Sequence, residues 1–339
     1  MKKAIVLIAA LALAFTLLVG LPGIPAMRGG EVAQEIAGDA SAVKTGLSIS
    51  ASAAGSGDNA AEYELILTAV TVDDGGVIAS CAIDGVSTAV HFNENGVITT
   101  DLNAEIPSKN ELGADYGMVA YGGAKYEWNQ QAAALADYAV GKTVEQLRSG
   151  AVDARGYAAD VDLASSATIR LDGLVNGIEA AVRNASHLGA QQGDVLKLSS
   201  IQSIADSKNA GEDADGVARL DSDVAALTMR GDVITSCVID SLQADVRFDS
   251  DGELEGDVSA PLPSKNQLGA NYGMKAYGGA RYEWNEQAAN FSAYVTGKTG
   301  AQVAGIAVDE GGKARDADLV SRVTIAIGGF QELVGKAVA

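Results

Sequence analysis

The chain carries one sequence module twice, and this repeat constrains its fold more than any other feature. Between residues 107 and 143, 26 of 37 positions are identical in the second copy. Such self-similarity indicates that one supersecondary unit is built twice. Four motifs recur at a constant offset of 156 residues, namely Pro107–Asn110, Tyr116–Met118, Tyr121–Ala124 and Tyr126–Asn129.

The repeat predicts two tandem, similar domains. The first copy covers residues 61–185 and the second covers residues 221–339. The polar, small-residue stretches at 28–60 and 186–220 are interpreted as linkers, although Val195–Ile204 has the composition of a further strand. Each copy is long enough to bury its own core, so we expect residues 221–339 to fold alone.

Within a copy, hydrophobic periodicity predicts an α+β fold in which helices pack on an antiparallel sheet. Alternating segments predict a meander with strands at Glu62–Val72, Val77–Asp84, Thr88–Phe92 and Val97–Leu102. A loop rich in glycine and tyrosine follows at 113–123. Beyond it the pattern predicts a helix over Ala124–Val140, a short helix capped by Thr143, a strand at Thr168–Leu171 and a helix with Asp172 as its N-cap.

Residues 1–27 have the features of an export signal. Two lysines precede an apolar stretch from Ala4 to Leu21, and no further charge occurs before Arg28. The stretch is also long enough to span a bilayer, so cleavage near Ala26 and retention as an N-terminal anchor both stay open. We therefore expect an extracytoplasmic protein, secreted or anchored at the cell surface, that contacts the membrane only through this segment.

The charge balance argues against one class of partner. Acidic residues outnumber basic residues by 44 to 24, which gives a formal net charge of −20. A surface of this sign repels phosphate backbones and anionic lipid head groups. Nucleic acid is therefore not expected as a partner.

The sequence contains neither a catalytic nor a metal-binding constellation. The two histidines are His91, which is Arg247 in the second copy, and His187 in a predicted linker, so no triad or transition-metal site is supported. Gly141–Thr143 resembles the end of a phosphate-binding loop, but Ala136 stands where that loop needs glycine. We therefore expect a protein that is not an enzyme and holds no metal.

The two cysteines occupy equivalent positions of the two copies. Cys81 shares the apolar face of a predicted strand with Val77, Ala79 and Ile83, and Cys237 is its counterpart. One cysteine per domain excludes a disulfide within a domain. We expect both residues to be reduced thiols that pack as small apolar side chains.

Cations and aromatic residues surround the glycine- and tyrosine-rich loop in both copies. Two interpretations stay open: a pocket for a planar anionic ligand beside a helix N-terminus, or a structural loop with ion-paired lysines and aromatic core residues. The cations are Lys109, Lys125 and Lys142 in the first copy and Lys265, Arg281 and Lys298 in the second; the aromatic residues are Tyr116, Tyr121 and Trp128, with Tyr277 as the counterpart of Tyr121.

Each copy ends with a threonine turn before a helix. The stretches are Asp162–Arg170, in which Ser165 and Ser166 precede Thr168, and Asp318–Ala326, which contains Thr324. They resemble the extracytoplasmic FMN-binding domain family, in which Ser-Gly-Ala-Thr, one further residue and a hydroxyl residue precede a helix. The position that is glycine in the family is occupied by Ser166 in one copy and by Arg322 in the other. The whole unit is also similar to surface proteins of clostridia-like bacteria.

The resemblance implies that FMN is carried on threonine through a phosphoester installed by a flavin transferase. Thr168 and Thr324 are the implied attachment points, and we expect Thr168 to be modified first because Arg322 and Val323 crowd Thr324. The implied function is an exported cell-surface protein that binds flavin or carries electrons to an envelope redox partner or another surface partner. The alternative is a structural or adhesive surface module without a cofactor.

Overall fold

The structure is a computed structural model that describes residues 42–339. The predicted export signal at 1–27 lies outside the described residues, and so does the beginning of the first predicted linker.

Residues 42–185 form strands first and helices afterwards. The strands are β1 (Lys44–Ser52), β2 (Ala60–Val72) and β3 (Ile78–His91). The helices are α1 (Lys109–Leu112), α2 (Trp128–Ala139), α3 (Val144–Ala151), α4 (Val161–Ser166) and α5 (Asp172–Asn184), with a 3₁₀ turn at Gly113–Tyr116.

Residues 186–339 contain strands and helices in the same order. The strands are β4 (Val195–Ser203), β5 (Gly216–Arg230), β6 (Val233–Phe248) and the short β7 (Leu254–Glu255). The helices are α6 (Lys265–Leu268), α7 (Trp284–Val295), α8 (Gly300–Ala304), α9 (Ala317–Val320) and α10 (Gly328–Val338), with a 3₁₀ turn at Gly269–Tyr272.

The strands form two antiparallel sheets, β1–β2–β3 and β4–β5–β6–β7. Strands that follow each other in the chain are neighbours in the sheet. At the turn between β2 and β3, the Asp73 carboxylate accepts a hydrogen bond of 2.8 Å from the Val77 amide. Gly76 adopts a φ of +81° in this turn, a conformation that glycine reaches without strain.

The sheets and helices are stacked in four layers. In the first half of the chain α5 packs on β1 and β2, while α2 packs on β3. In the second half α10 packs on β4 and β5, while α7 packs on β6. The other faces of the two sheets pack against each other, so the order of layers is helices, sheet, sheet, helices.

The central core lies between the sheets and contains residues from both halves of the chain. Leu65, Leu67 and Val90 of the first sheet form one cluster with Leu220, Leu242 and Phe248 of the second. Polar contacts also cross this interface. The Tyr63 hydroxyl donates to the Ala218 carbonyl over 2.7 Å, and the Thr45 and Ser236 hydroxyl oxygens are 2.7 Å apart. Each half has a second apolar cluster between its sheet and its helices.

The predicted α+β class is confirmed, since helices pack on antiparallel sheets, but several predicted elements differ. The first predicted linker contains β1, while β4 is the further strand indicated at Val195–Ile204, and inward residues of both strands complete the central core. Thr88–Phe92 is the continuation of β3 and not a separate strand. Val97–Leu102 and Thr168–Leu171 are not strands, and Leu171 instead of Asp172 is the N-cap of α5. The short helix capped by Thr143 is present as α3.

The shared core changes the expectation for an isolated half. A fragment of residues 221–339 would expose the inner face of its sheet, and it would lack β4 and the first residues of β5. Burial of apolar area is the main favourable term in folding. We therefore expect the two halves to unfold together instead of separately.

Candidate functional site

The two threonine turns lie in equivalent positions, directly after the short helices α4 and α9. Asp160 caps α4 by accepting hydrogen bonds from the Asp162 and Leu163 amides, and Asp316 caps α9 in the same way. Thr168 and Thr324 follow these helices, and both side chains are exposed. Both threonines therefore lie at the surface of the protein.

A buried glutamine of the preceding long helix holds each turn. The Oε1 atom of Gln131, a fully buried residue of α2, accepts hydrogen bonds from the Thr168 amide at 2.7 Å, the Thr168 hydroxyl at 3.2 Å and the Ile169 amide at 3.1 Å. Its Nε2 atom donates to the Tyr126 carbonyl over 2.8 Å. One side chain thus satisfies four polar groups from two segments.

Gln287 repeats these contacts in the second half. Its Oε1 atom accepts from the Thr324 amide at 2.8 Å, the Thr324 hydroxyl at 3.2 Å and the Ile325 amide at 3.2 Å. Its Nε2 atom donates to the Tyr282 carbonyl over 3.1 Å. Sequence reasoning missed both glutamines, although their identity in the two copies and their position on an otherwise apolar helix face were visible signals.

Ser165 and Ser166, the hydroxyl residues before Thr168, form the end of α4. The Ser165 hydroxyl donates to the Asp162 carbonyl over 2.7 Å, and the two serine hydroxyl oxygens are 3.3 Å apart. The Lys125 ammonium donates to the Ser165 carbonyl over 3.3 Å. The structure thus brings one of the predicted cations, Lys125, to the threonine turn.

Arg281 occupies the position of Lys125 in the second half. Its guanidinium lies over the Tyr282 ring at 5.2 Å, as the Lys125 ammonium lies over the Tyr126 ring at 4.8 Å. Val323, which we expected to crowd Thr324, is fully buried in the core between the sheet and the helices. The expected steric difference between the two threonines is therefore limited to the exposed Arg322 side chain.

Lys109 and Lys265 lie beneath the loops and contact aromatic rings. The Lys109 ammonium is 3.0 Å from the Glu64 carboxylate and 5.1 Å from both the Tyr116 and Trp128 rings, and the residue is only 7% exposed. The Lys265 ammonium lies 5.3 Å from the Tyr272 ring and 5.0 Å from the Trp284 ring. Because the Lys109 ammonium is already paired with Glu64, its contacts agree with a structural loop that contains ion-paired lysines and not with a ligand pocket.

The glycine- and tyrosine-rich loops each present an exposed tyrosine. Tyr121 is 62% exposed and Tyr277 is 91% exposed. The tyrosine ring packs across a glycine with a φ above +80°, and a Cβ atom on Gly117 would lie 2.6 Å from the Tyr121 ring. The Glu127 carboxylate braces the loop by accepting from the Met118 amide at 2.8 Å and the Val119 amide at 3.1 Å.

The second loop is braced in the same manner. The Glu283 carboxylate accepts from the Met274 amide at 2.9 Å and the Lys275 amide at 3.2 Å. Gly273 takes the place of Gly117 beneath Tyr277. Both loops are therefore held in a fixed conformation by a buried carboxylate, which the sequence did not indicate.

The two cysteines lie where the strand pattern placed them. Cys81 packs at the margin of the apolar cluster between β3 and the helices, and Cys237 is buried in the corresponding cluster. Burial raises the pKa of both thiols to about 12. Neither residue forms a disulfide in the structure of residues 42–339.

The first threonine turn offers no free backbone amides to a non-covalently bound phosphate. The amides of Thr168 and Ile169 donate to Gln131, and the Lys125 ammonium donates to the Ser165 carbonyl nearby. Within the described range, no group of His, Cys, Asp and Glu side chains is arranged to hold a metal ion. None of the helices between residues 42 and 339 is both long and apolar enough to cross a membrane.

Comparison of the chain with protein-family models, with curated proteins and with solved structures finds no match.

Proposed function

We propose that the chain is an exported cell-surface protein of two tandem, related units, and that Thr168 and Thr324 are sites at which a flavin transferase attaches FMN. The observation that carries this proposal is the matched pair of threonine turns. Each threonine is an exposed residue, and a buried glutamine holds each turn through equivalent contacts. With FMN attached, the protein would carry electrons to a partner in the cell envelope.

The attachment requires from this chain only a positioned hydroxyl. In the transfer, Oγ1 of threonine attacks the phosphorus of FAD that bears the riboflavin moiety, a new P–O bond forms, and AMP leaves. The hydroxyl proton passes to a base of the transferase. In the free protein the Thr168 hydroxyl donates to Gln131 Oε1 over 3.2 Å, so the hydroxyl has to exchange this hydrogen bond for one to the transferase base before its proton can leave.

We expect Thr168 to be modified before Thr324. Two small residues, Ser165 and Ser166, precede Thr168, whereas charge does not distinguish the two sites, because Arg281 takes the place of Lys125 in the second half. In the second half the long, exposed Arg322 side chain stands two residues before Thr324. The transferase therefore approaches Thr168 with less obstruction.

Co-expression with a flavin transferase tests the proposal, with in-gel flavin fluorescence and intact mass as readouts. Thr168→Val keeps the side-chain shape without the hydroxyl, so it should remove most of the signal, whereas Thr168→Ser should retain it. Thr99→Val is the matched control at an exposed threonine outside the turns. Fluorescence that persists in a Thr168→Val/Thr324→Val variant contradicts the assignment. Absence of signal in the wild type, with a control domain labelled in the same cells, contradicts flavin attachment altogether.

The exposed tyrosines favour a second candidate function, an adhesive surface module without a cofactor. Tyr121 and Tyr277 contribute little to folding because their rings are mostly in solvent, yet both are retained on braced loops. Rigid, exposed aromatic rings supply contact area at low entropic cost when a partner binds. Two such loops on one chain would also bind a repetitive surface with avidity.

Binding of the purified protein to envelopes of the producing cells tests this alternative. The Tyr121→Ala/Tyr277→Ala variant should lose binding while its thermal unfolding stays unchanged. Tyr157→Ala is the control, since Tyr157 is also exposed, at 41%, but lies outside the loops. Equal binding of all three proteins argues against adhesion through these loops.

A further inference from the structure

The connecting segment between the two halves, residues 185–194, runs along the outer edge of β1. The Thr45 amide donates to the Ser186 carbonyl over 2.9 Å, and the Ser186 amide donates to the Thr45 carbonyl over 3.1 Å. The Val43 amide donates to the Ala190 carbonyl over 3.1 Å. The connecting segment thus pairs antiparallel with the beginning of the first sheet and covers its edge there.

The connecting segment also closes the seam between the two sheets. β1 lies opposite β6, and Gly189 of the connecting segment approaches β6 with a φ of +114°. A Cβ atom on Gly189 would lie 2.5 Å from the Thr235 carbonyl oxygen and 3.8 Å from a methyl carbon of Thr296. Both the backbone conformation and the close approach therefore require glycine at this position.

A second, equivalent seam lies between β3 and β4. These strands face each other as β1 and β6 do, and they are the counterparts of β6 and β1. Val72 and Met229 are equivalent, because each stands at the register shift of its hairpin. Lys44 pairs with Val72, and Val195 pairs with Met229. Lys44 and Val195 are therefore equivalent, and an offset of 151 residues relates this part of the two halves.

The edge of β4 is open at the second seam. Leu196 is the counterpart of Thr45, but among residues 42–339 no backbone group pairs with its outer edge as Ser186 pairs with Thr45. Val195, beside it, is 57% exposed. An uncovered strand edge with an exposed apolar side chain is a template for an extended segment that adds to the sheet.

An open groove of about 320 Å³ lies at the second seam. Ala79 of β3 and Val140 line it, and they are the counterparts of Thr235 and Thr296, which Gly189 approaches at the first seam. Residues 192–194, which lead into β4, also line the groove. The groove therefore occupies the place where a counterpart of the connecting segment would lie.

The sequence before Ala42 provides such a counterpart. The offset of 151 residues relates Ser186 to Glu35 and Gly189 to Gly38. Glycine thus recurs at the position where a side chain would meet the backbone of the opposite sheet. Ala42 itself lines the groove, so a segment that ends just before this residue is within reach of it.

We propose that residues 35–40 of this chain dock in the groove between β3 and β4. Their backbone pairs antiparallel with the edge of β4, with Glu35 opposite Leu196, and Gly38 passes over the Ala79 carbonyl. The segment before the first half then covers the sheet of the second half, as the segment before the second half covers the sheet of the first. The two segments clasp the halves together from both sides.

Disulfide trapping in the full chain tests the docking. Opposite residues of a hydrogen-bonded antiparallel pair have Cα atoms about 5.5 Å apart, which a disulfide can bridge. In a Cys81→Ser/Cys237→Ser background, Glu35→Cys/Leu196→Cys should therefore form a disulfide within one chain. Thr45→Cys/Ser186→Cys is the positive control at the equivalent pair, and Gly30→Cys/Leu196→Cys should stay reduced. A reduced Glu35→Cys/Leu196→Cys protein beside an oxidised positive control would overturn the proposal. Disulfide-linked dimers alone would overturn it too, because the groove would then take the segment of a second copy.

Hydrogen exchange gives a readout that needs no added cysteine. In the wild type the Leu196 amide should be protected, as the Thr45 amide is by the Ser186 carbonyl. Gly38→Val should speed exchange at Leu196 by about tenfold or more without changing exchange at Thr45, because the new side chain would meet the Ala79 carbonyl. Gly30→Val is the matched control in the same stretch of sequence. Unprotected Leu196 in the wild type, or equal exchange in wild type and Gly38→Val, would contradict docking of residues 35–40.

Discussion

Phe92 and Phe248 stack face to face across the two sheets, with ring centroids 3.8 Å apart and an angle of 5° between the ring planes. The two residues are equivalent under the offset of 156 that relates the sequence motifs. A residue that contacts its own counterpart is the mark of an isologous interface, such as the one in a two-fold symmetric dimer. The halves therefore meet through matching surfaces, and each completes the core of the other.

This contact predicts a single cooperative unfolding transition. Phe92→Ala should lower the free energy of unfolding by about 3–5 kcal/mol, as expected for a buried phenylalanine, and Phe248→Ala should have a similar effect. Because Trp128 and Trp284 lie in different halves, the variants Trp284→Phe and Trp128→Phe each report on one half by fluorescence. The urea midpoints of these two proteins should shift together when Phe92→Ala is added. Tyr121→Ala serves as the exposed control, and a shift confined to the Trp128 signal would contradict the shared core.

The sequence predicted the local units of the fold but not their assembly. Alternation located β2 and the first part of β3, and the capping signal at Thr143 located α3, because both depend on neighbours in the chain. β1 was interpreted as part of a linker because its serines and alanines resemble a flexible segment, and β4 was indicated only as a further strand within the second predicted linker. Their strand structure depends on pairing with β2 and β5 and on the core between the sheets, which a local pattern does not contain.

The glutamine contacts give a second prediction. Gln131→Leu removes the acceptor for the Thr168 and Ile169 amides, so it should destabilise the protein by about 2–4 kcal/mol and increase hydrogen exchange at both amides. Gln131→Glu retains an acceptor for both amides, but it buries a carboxylate against the Tyr126 carbonyl, so we expect it to destabilise the protein as well while it keeps the two amides hydrogen-bonded in the folded state. Gln287→Leu is the matched change in the second half. Unchanged exchange at Thr168 in Gln131→Leu would show that the turn is held by other contacts.

The candidate site was predictable only where a motif is local. The threonines were found because a short stretch resembles a family pattern, but Gln131 contacts Thr168 across 37 residues of sequence. Lys109 was predicted to bind a ligand because the local sequence does not show that its ammonium is already paired. The pairing partner, Glu64, lies 45 residues earlier in the chain. Polar residues that the two copies share inside an apolar helix face were the available signal for such contacts.

A third prediction concerns the reactivity of the two thiols. Both have a pKa of about 12, so near neutral pH their rates of alkylation should differ through access alone. Cys81 is half-buried and should react faster than Cys237, which is 2% exposed. The time course of reaction with a thiol reagent should have two phases. The variants Cys81→Ser and Cys237→Ser show which cysteine gives each phase, because each variant removes one of them. Denatured, unreduced monomer should release two thiols, and finding none would indicate a disulfide between the halves.

Asp240 predicts a pH dependence of stability with a defined sign. This residue lies on β6, and its buried carboxylate accepts hydrogen bonds from the Ser264 hydroxyl at 2.6 Å, the Ser241 amide at 2.7 Å and the Asn266 amide at 3.0 Å. Burial dominates over these bonds and raises the pKa of the carboxyl from 3.8 to about 6. The counterpart Asp84 has a raised pKa for the same reason.

Because the folded state binds this proton more tightly than the unfolded state, the contribution of Asp240 to stability is complete below about pH 4 and is lost as the pH rises through about 6. Asp240→Asn does not titrate. The free energy of unfolding of the wild type minus that of the variant should therefore fall by roughly 2–3 kcal/mol between pH 4 and pH 7, and stay constant above pH 7. Asp115→Asn, an exposed control, should show a difference that does not change with pH. A difference that rises with pH for Asp240→Asn would mean that the hydrogen bonds outweigh burial and that the pKa of this carboxyl is lowered in the folded protein.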